Sequence, residues 1–170
     1  ICGPDSDNNS RMLKLGQTQF IQPFIEKGDI KLVFEECVNE WSSEEGYRLM
    51  KKCLAANEKI DAVLCGNDAL AQGAIEALKE KDLAGQVLVS GQDAETVAIQ
   101  NIMAGYQTMT VYKPIEAIAI TAANLAIKVG KGEPITEAIH TTNNGQKMVQ
   151  SILLEAMVVN RDNINMTVIA

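Results

Sequence analysis

Apolar positions along this chain follow two alternating rhythms. Short runs of β-favouring residues end in polar clusters, and longer segments with apolar residues every three or four positions follow them. The first rhythm reads as buried strands, the second as amphipathic helices. Residues 1–3 read as the tail of a strand. A helix is expected over about 10–26, with Leu13, Gly16, Phe20 and Phe24 on one stripe, Pro23 bending or ending it, and Gly28 stopping it. Residues 30–38 read as the next strand. Ser42 with Glu45 forms a capping box, opening a helix whose buried line is Tyr47, Met50 and Leu54. A strand follows at 62–65. The helix after it buries Leu70, Ala74, Ile75 and Leu78 and stops near Gly85. Residues 87–89 and 108–112 are further strands, with a helix at 95–103 between them. Pro114 sits in the first turn of a helix that ends near Gly130. Beyond it the pattern loosens into short strand candidates at 138–142, 149–153 and 157–159, with Asn143-Asn144-Gly145 as a turn between the first two. Strands alternating with helices predict βαβ units, and hence an α/β fold with a doubly wound, mostly parallel sheet.

Each strand-like run ends in chemistry: CGPDSDNN, CVNEW, CGND, VSGQD and TVYKP. In an open parallel sheet the carboxyl ends of the strands share one edge, and ligands bind in the crevice there. Asn9, Trp41, Asn67, Asp93 and Lys113 are therefore expected on one rim. Each also has a plain structural reading. Asn67 or Asp68 could simply cap a helix, Asp93 could cap the helix after it, and Asn9 could cap the first. Trp41 could be a lid on the local core rather than a stacking platform. Lys113 could be a solvated lysine, although a helix start disfavours a cation. Taken together, the acids, amides, lysine and flat aromatic face suit a small polyhydroxylated ring. Phosphate fits poorly: a GxGxxG or Walker loop is missing after any strand.

Composition narrows this further. The chain has 170 residues, 46% of them apolar and 22% charged, with a net charge of -7. This suits one globular domain with a sizeable core. No basic run exceeds Lys51-Lys52, which argues against a nucleic-acid surface. The most apolar stretch, 115–129, is broken by Glu116, Thr121, Asn124 and Lys128, which argues against a bilayer span. Cys2, Cys37, Cys53 and Cys65 match no zinc or CxxC spacing and read as buried thiols. His140 has no visible partner and reads as a strand-end histidine. Neither a metal nor a cofactor is expected, and without a nucleophile–base pair the chain is expected not to be an enzyme. No signal peptide or lipidation motif is visible, although a targeting segment could have preceded Ile1.

At these residues the sequence resembles the periplasmic sugar-binding proteins of the ribose/galactose/xylose class, its D-xylose-binding branch most of all. DNN at 7–9, Trp41, ND at 67–68, SGQDA at 90–94, QTMTVYKP at 107–114 and NNG at 143–145 match in order and approximate spacing. The resemblance covers essentially the whole chain and is most specific at GQDA and QTMTVYKP. It implies a type I periplasmic-binding-protein lobe with C-terminal segments of a second lobe. Residues 1–112 would form the C-terminal lobe, 113–142 a hinge crossing and helix belonging to the N-terminal lobe, and 143–170 the return segment. Most of the N-terminal lobe would be absent. Trp41 would stack on the pyranose, Asn67 and Asp93 would bond hydroxyls, with Asp68 opening the helix, and Asn9 and Lys113 would complete this side of the site, Lys113 by the hinge. The implied ligand is a monosaccharide, D-xylose. The implied partner is the membrane permease of an ABC importer or the extracellular domain of a sensor kinase. The implied location is periplasmic or extracellular, lipoprotein anchoring included. Two other readings compete. The effector-binding domain of a cytoplasmic sugar-responsive repressor would share this fold. A receiver domain would also place an acid and Lys-Pro at strand ends, but it needs an acid pair after its first strand and stops after its fifth helix.

Overall fold

In the computed structural model, which describes residues 1–137 and 140–167, the chain divides into two units: Ile1–Tyr112 with Val158–Ala170, and Lys113–Met157. The first unit contains α1 (Asn8–Lys27), α2 (Ser43–Ala56), β1 (Ala62–Leu64), α3 (Asp68–Lys79), β2 (Leu88–Ser90), α4 (Thr96–Ala104) and β3 (Met109–Tyr112). The second contains α5 (Ile115–Lys131), β4 (His140–Asn143) and β5 (Met148–Ser151). After these come β6 (Met157–Asn160) and α6 (Ile164–Thr167).

The sheet runs β1-β2-β3-β6, with β1–β2 and β2–β3 parallel and Val63 opposite Val89. Two further segments extend it beyond β1. The Ile1 nitrogen donates to the Leu64 carbonyl at 2.8 Å, and Gly66 N–H donates to the Ile1 carbonyl at 3.0 Å. On the outer side, Cys2 N–H reaches the Glu36 carbonyl and Val38 N–H the Cys2 carbonyl, both at 3.0 Å, which makes a parallel bridge between Cys2 and Cys37. The spatial order is thus 36–38, 1–2, β1, β2, β3. The chain first steps outward, then turns back past its start and continues the other way. This is the doubly wound arrangement, with its topological switch between Cys2 and β1.

The expected strand at 30–38 is not formed as such: only Cys37 enters a bridge. A β-favouring run becomes a strand only where a neighbour supplies hydrogen bonds, and only Glu36 and Val38 bond Cys2. Ile30, Leu32 and Val33 stay exposed. The first helix also departs from expectation. It runs through Pro23 to Lys27 and ends at Gly28, whose φ of 81° lets its N–H cap the Ile25 and Phe24 carbonyls. Of its twenty residues only Ser10 is buried, and Phe20 is 74% exposed, so the aromatic stripe does not face the core.

α2 and α3 build the main core with β1 and β2. In α2 the buried line is Gly46, Leu49, Met50 and Cys53, one step round from the expected one; Tyr47 and Leu54 are only half-buried. Leu70, Ala74, Ile75 and Leu78 of α3 are fully buried, and α3 ends at Lys79, short of Gly85. Half of the expected capping box forms. Ser42 Oγ accepts the Glu45 N–H at 3.3 Å, but the Glu45 carboxylate turns to the Asn39 N–H and to Arg48. The two helices meet at glycines. A Cβ on Gly46 would lie 2.3 Å from the Leu70 carbonyl oxygen, and one on Gly73 would lie 1.8 Å from that of Ser43.

In the second unit, β4 and β5 form an antiparallel hairpin, with Asn143 opposite Met148. Its turn places Gly145 at φ 90°, with Gly145 N–H donating to Asn143 Oδ1. Ala138 and Ile139, at the start of the expected strand, lie outside the described residues. No described helix is long and apolar enough to cross a membrane.

Two of the helix glycines, Gly16 and Gly73, are expected to respond oppositely to alanine. In α1 nothing lies within 4 Å of a Cβ at Gly16, so Gly16→Ala should stabilise by roughly 0.5–1 kcal/mol. Gly73→Ala should destabilise by about 1–3 kcal/mol through overpacking against the α2 backbone. Urea midpoints of the two variants check the sign.

Candidate functional site

The sheet's carboxyl rim is stitched together by backbone hydrogen bonds between loops. Asp68 N–H donates to the Gln92 carbonyl at 2.9 Å, joining the β1–α3 loop to the β2–α4 loop. Asp93 N–H donates to the Val111 carbonyl at 2.9 Å, joining that loop to the end of β3. At the switch point, Gly3 and Gly66 lie side by side under Trp41. A Cβ on Gly3 would fall 2.0 Å from the Trp41 ring, and one on Gly66 2.8 Å from it. The indole thus occupies space that two missing side chains leave.

Each expected site residue has a definite place. Trp41 is half-buried against the core cluster, and its Nε1–H donates to Asp7 Oδ2 at 3.0 Å. Asn67 is the N-cap of α3: its Oδ1 accepts the Leu70 N–H at 2.9 Å. Its side-chain nitrogen has no hydrogen-bond partner among the described residues. Asn67 is therefore a cap with a donor left over, and Asp68 does open the helix, with its side chain directed into the protein rather than to the rim. Asp93 is exposed and does not cap α4. The N-cap there is Glu95, without a side-chain bond. Asp93 and Ala94 instead occupy left-handed backbone, at φ 104° and 55°, a conformation that L-residues adopt only when their surroundings impose it. Asn9 is exposed in the first turn of α1 and is not its cap. Asp7 is, accepting the Asn9 N–H at 2.8 Å. Lys113 follows β3 directly and is the first residue of the second unit. Asn9, Trp41, Asn67 and Asp93 thus all follow carboxyl ends of sheet segments within the first unit.

Four residues outside the expected site set hold this rim: Asp7, Asp68, Gln107 and Thr110. Asp7 joins the cap of α1 to the Trp41 indole; an Asp just ahead of a helical pattern is a recognisable cap signal. The Trp41 bond, and after it the Asn9 amide, lower the Asp7 pKa. Asp68, fully buried, accepts from Glu95 N–H at 3.0 Å, Gln107 Nε2 at 2.9 Å and Thr110 Oγ1 at 2.8 Å. Burial raises the Asp68 pKa against the pull of these donors. Glu95 is raised too, first by burial and then by the nearby Asp68 and Asp93 charges. Nothing in the spacing of Asp68, Gln107 and Thr110 announces that they meet.

Two of the thiols are held far from the reactive thiolate form. Burial pushes Cys65 up to about 11, and burial together with a hydrogen bond to Asp5 does the same for Cys37. A separate cavity of about 260 Å³, lined by α1, residues 30–35 and β1, is mostly apolar and contains none of the rim residues.

The comparisons with known proteins agree with this fold. The model of the periplasmic binding protein domain matches residues 1–134. The chain is 46% identical over 168 residues to the D-xylose-binding periplasmic protein of Escherichia coli (strain K12), covering 98% of this chain and 51% of that protein. Against the D-xylose-binding periplasmic protein of Haemophilus influenzae it is 45% identical, covering 98% of this chain and 50% of that protein. The crystal structure of a carbohydrate transporter solute binding protein from Chloroflexus aurantiacus, in complex with D-glucose, superposes with a TM-score of 0.85 at 26% identity, over 99% of this chain and 57% of that one. The chain thus spans about half the length of the relatives it matches.

The Asp7–Trp41 bond gives a pH test. A carboxyl whose folded pKa lies below its ordinary value of 3.8 adds stability above that value and loses it as pH falls through the folded pKa. Emission of Trp41, the sole tryptophan of this chain, should therefore shift in strong acid. In Asp7→Asn the acid step should vanish. A step of equal size in that variant would assign the change to another group.

Proposed function

We propose a function from one premise: this chain belongs to the periplasmic binding protein domain family. On that premise the first unit is the C-terminal lobe of a two-lobed sugar receptor. Residues 113–142 are a hinge crossing and helix given to the other lobe, and the tail returns through the hinge. The rim is then one wall of a cleft that closes on a monosaccharide, D-xylose. Trp41 covers the apolar face of the ring, the Asn67 amide donates to a hydroxyl, the Asp93 carboxylate accepts from hydroxyls, and Asn9 and Lys113 complete the wall.

The observation that supports this most is the chemistry of the stitched rim at the switch point: an aromatic ring fixed by Asp7, a cap amide with its nitrogen unengaged, and an exposed carboxylate on an imposed backbone. A hydroxyl both donates and accepts, so donor-only and acceptor-only groups beside a flat ring suit a sugar. The names of the relatives point the same way. Such a protein carries out no reaction. Sugar that contacts both lobes only in the closed state shifts the population toward closure, and the closed form is presented to the permease of an ABC importer or to the extracellular part of a sensor kinase. On this reading the protein works in the periplasm or outside the cell.

Calorimetric titration of the intact protein with D-xylose, D-ribose, D-galactose and D-glucose tests the reading. D-xylose should bind most tightly. Asp93→Ala and Trp41→Ala should each weaken it by about 1–3 kcal/mol, the range for a buried polar group left unpaired or an aromatic contact removed. Unchanged affinity in both variants would remove the rim from the site.

A further inference from the structure

We propose that Asp68 and Thr110 form a latch that fixes the left-handed backbone at Asp93-Ala94, and that they are therefore positioning residues for the Asp93 carboxylate. The ligand side of this proposal rests on the sugar reading above; the backbone side does not.

The latch is a directional chain of hydrogen bonds. Thr110 Oγ1 donates to Asp68 Oδ2 at 2.8 Å. A hydroxyl has one hydrogen, so only its lone pairs remain, and one of these accepts the Ala94 N–H at 3.2 Å. The next amide, Glu95 N–H, donates to Asp68 Oδ2 directly at 3.0 Å. Asp93 N–H is held by Val111, the residue after Thr110. Three consecutive amides of the loop are thus bound by one buried pair and its strand. The loop is held from its other end as well. Asp68 N–H binds the Gln92 carbonyl, and Asp68 Oδ1 lies where a Cβ at Gly91 would be, 2.1 Å away. Gln107 Nε2 donates to the same Oδ1, fixing the carboxylate's second oxygen.

Asp68 and Thr110 are both fully buried, so neither reaches a ligand at the rim. Their influence on binding would pass through the loop. Asp93 and Ala94 lack the freedom of glycine, and left-handed values at both require surroundings that over-determine them. The latch supplies those surroundings.

The test compares Thr110→Val, which keeps the shape and removes both hydroxyl bonds, with Thr110→Ser, which keeps the hydroxyl. The first readout is amide hydrogen exchange in the intact protein. In Thr110→Val, exchange at Ala94 and Glu95 should accelerate by about tenfold or more, on the order of one lost hydrogen bond or more, while amides of α3 such as Ala71 keep their protection. The second is the D-xylose dissociation constant, expected to rise about five- to tenfold in Thr110→Val and to stay within about twofold in Thr110→Ser. Unchanged exchange at Ala94 and Glu95 in Thr110→Val would overturn the latch. Accelerated exchange with unchanged affinity would overturn the positioning role. If the wild-type protein binds none of the sugars, the sugar reading fails by itself, and exchange alone decides the latch.

Discussion

A carboxylate without access to water stands where α3, β3 and the β2–α4 loop meet, and the rim of the sheet is arranged around it. Burying an ionised group costs several kcal/mol unless hydrogen bonds and local dipoles replace its hydration. Asp68 has three donors, from Glu95, Gln107 and Thr110, and sits in the first turn of α3, where the helix dipole favours a negative charge. Its pKa is still raised, so desolvation outweighs the compensation. The network has one loose end among the described residues: Gln107 Oε1 is buried without a partner. A group in such a position ties three elements together because losing any one donor leaves a charge short of partners. The order of the rim follows from that demand rather than from the packing of apolar surface.

Missing side chains do as much for this fold as present ones. Gly46 and Gly73 let α2 and α3 approach until each helix touches the other's backbone, and that contact brings the fully buried row of α3 onto β1 and β2. Gly3 and Gly66 leave a gap between the two segments at which the winding reverses, and Trp41 fills it. Gly91 leaves the space that the Asp68 carboxylate occupies. In each case the glycine is selected by close approach, since none of these five has a positive φ.

The sequence makes the alternation of elements readable because burial on α3, β1 and β2 follows the helix and strand periods closely. It fails where burial depends on a neighbour. The β-favouring run at 30–38 has one partner segment, two residues long, and so remains mostly unpaired. The aromatic stripe of α1 has the right spacing and no core against it. Residues 67 and 68 take the expected places, Asn67 as cap and Asp68 as the first residue of α3, but the sequence does not show that Asp68 also organises what lies beneath it. Asp7, Gln107 and Thr110 were not legible as site-forming residues. Their importance lies in pairings 34, 39 and 42 residues apart, and no local period encodes a contact of that range.

These pairings also explain why the rim can present chemistry at all. A polar side chain at a strand end usually satisfies its own loop, as Asn67 Oδ1 and Asp7 Oδ1 do. A group remains available to a ligand only when other residues have taken over that task. The Asn67 oxygen serves the helix, so its nitrogen need not. Asp7 holds both the cap of α1 and the Trp41 nitrogen, so the indole is fixed at its polar edge. Asp68 and Thr110 bind the amides of Ala94 and Glu95, the two residues just ahead of α4. Asp93 is exposed in the β2–α4 loop. A buried acid in the layer below is thus the condition for an exposed acid above it, and under the sugar-receptor reading the specificity of the wall is set one layer beneath the residues that touch the ligand.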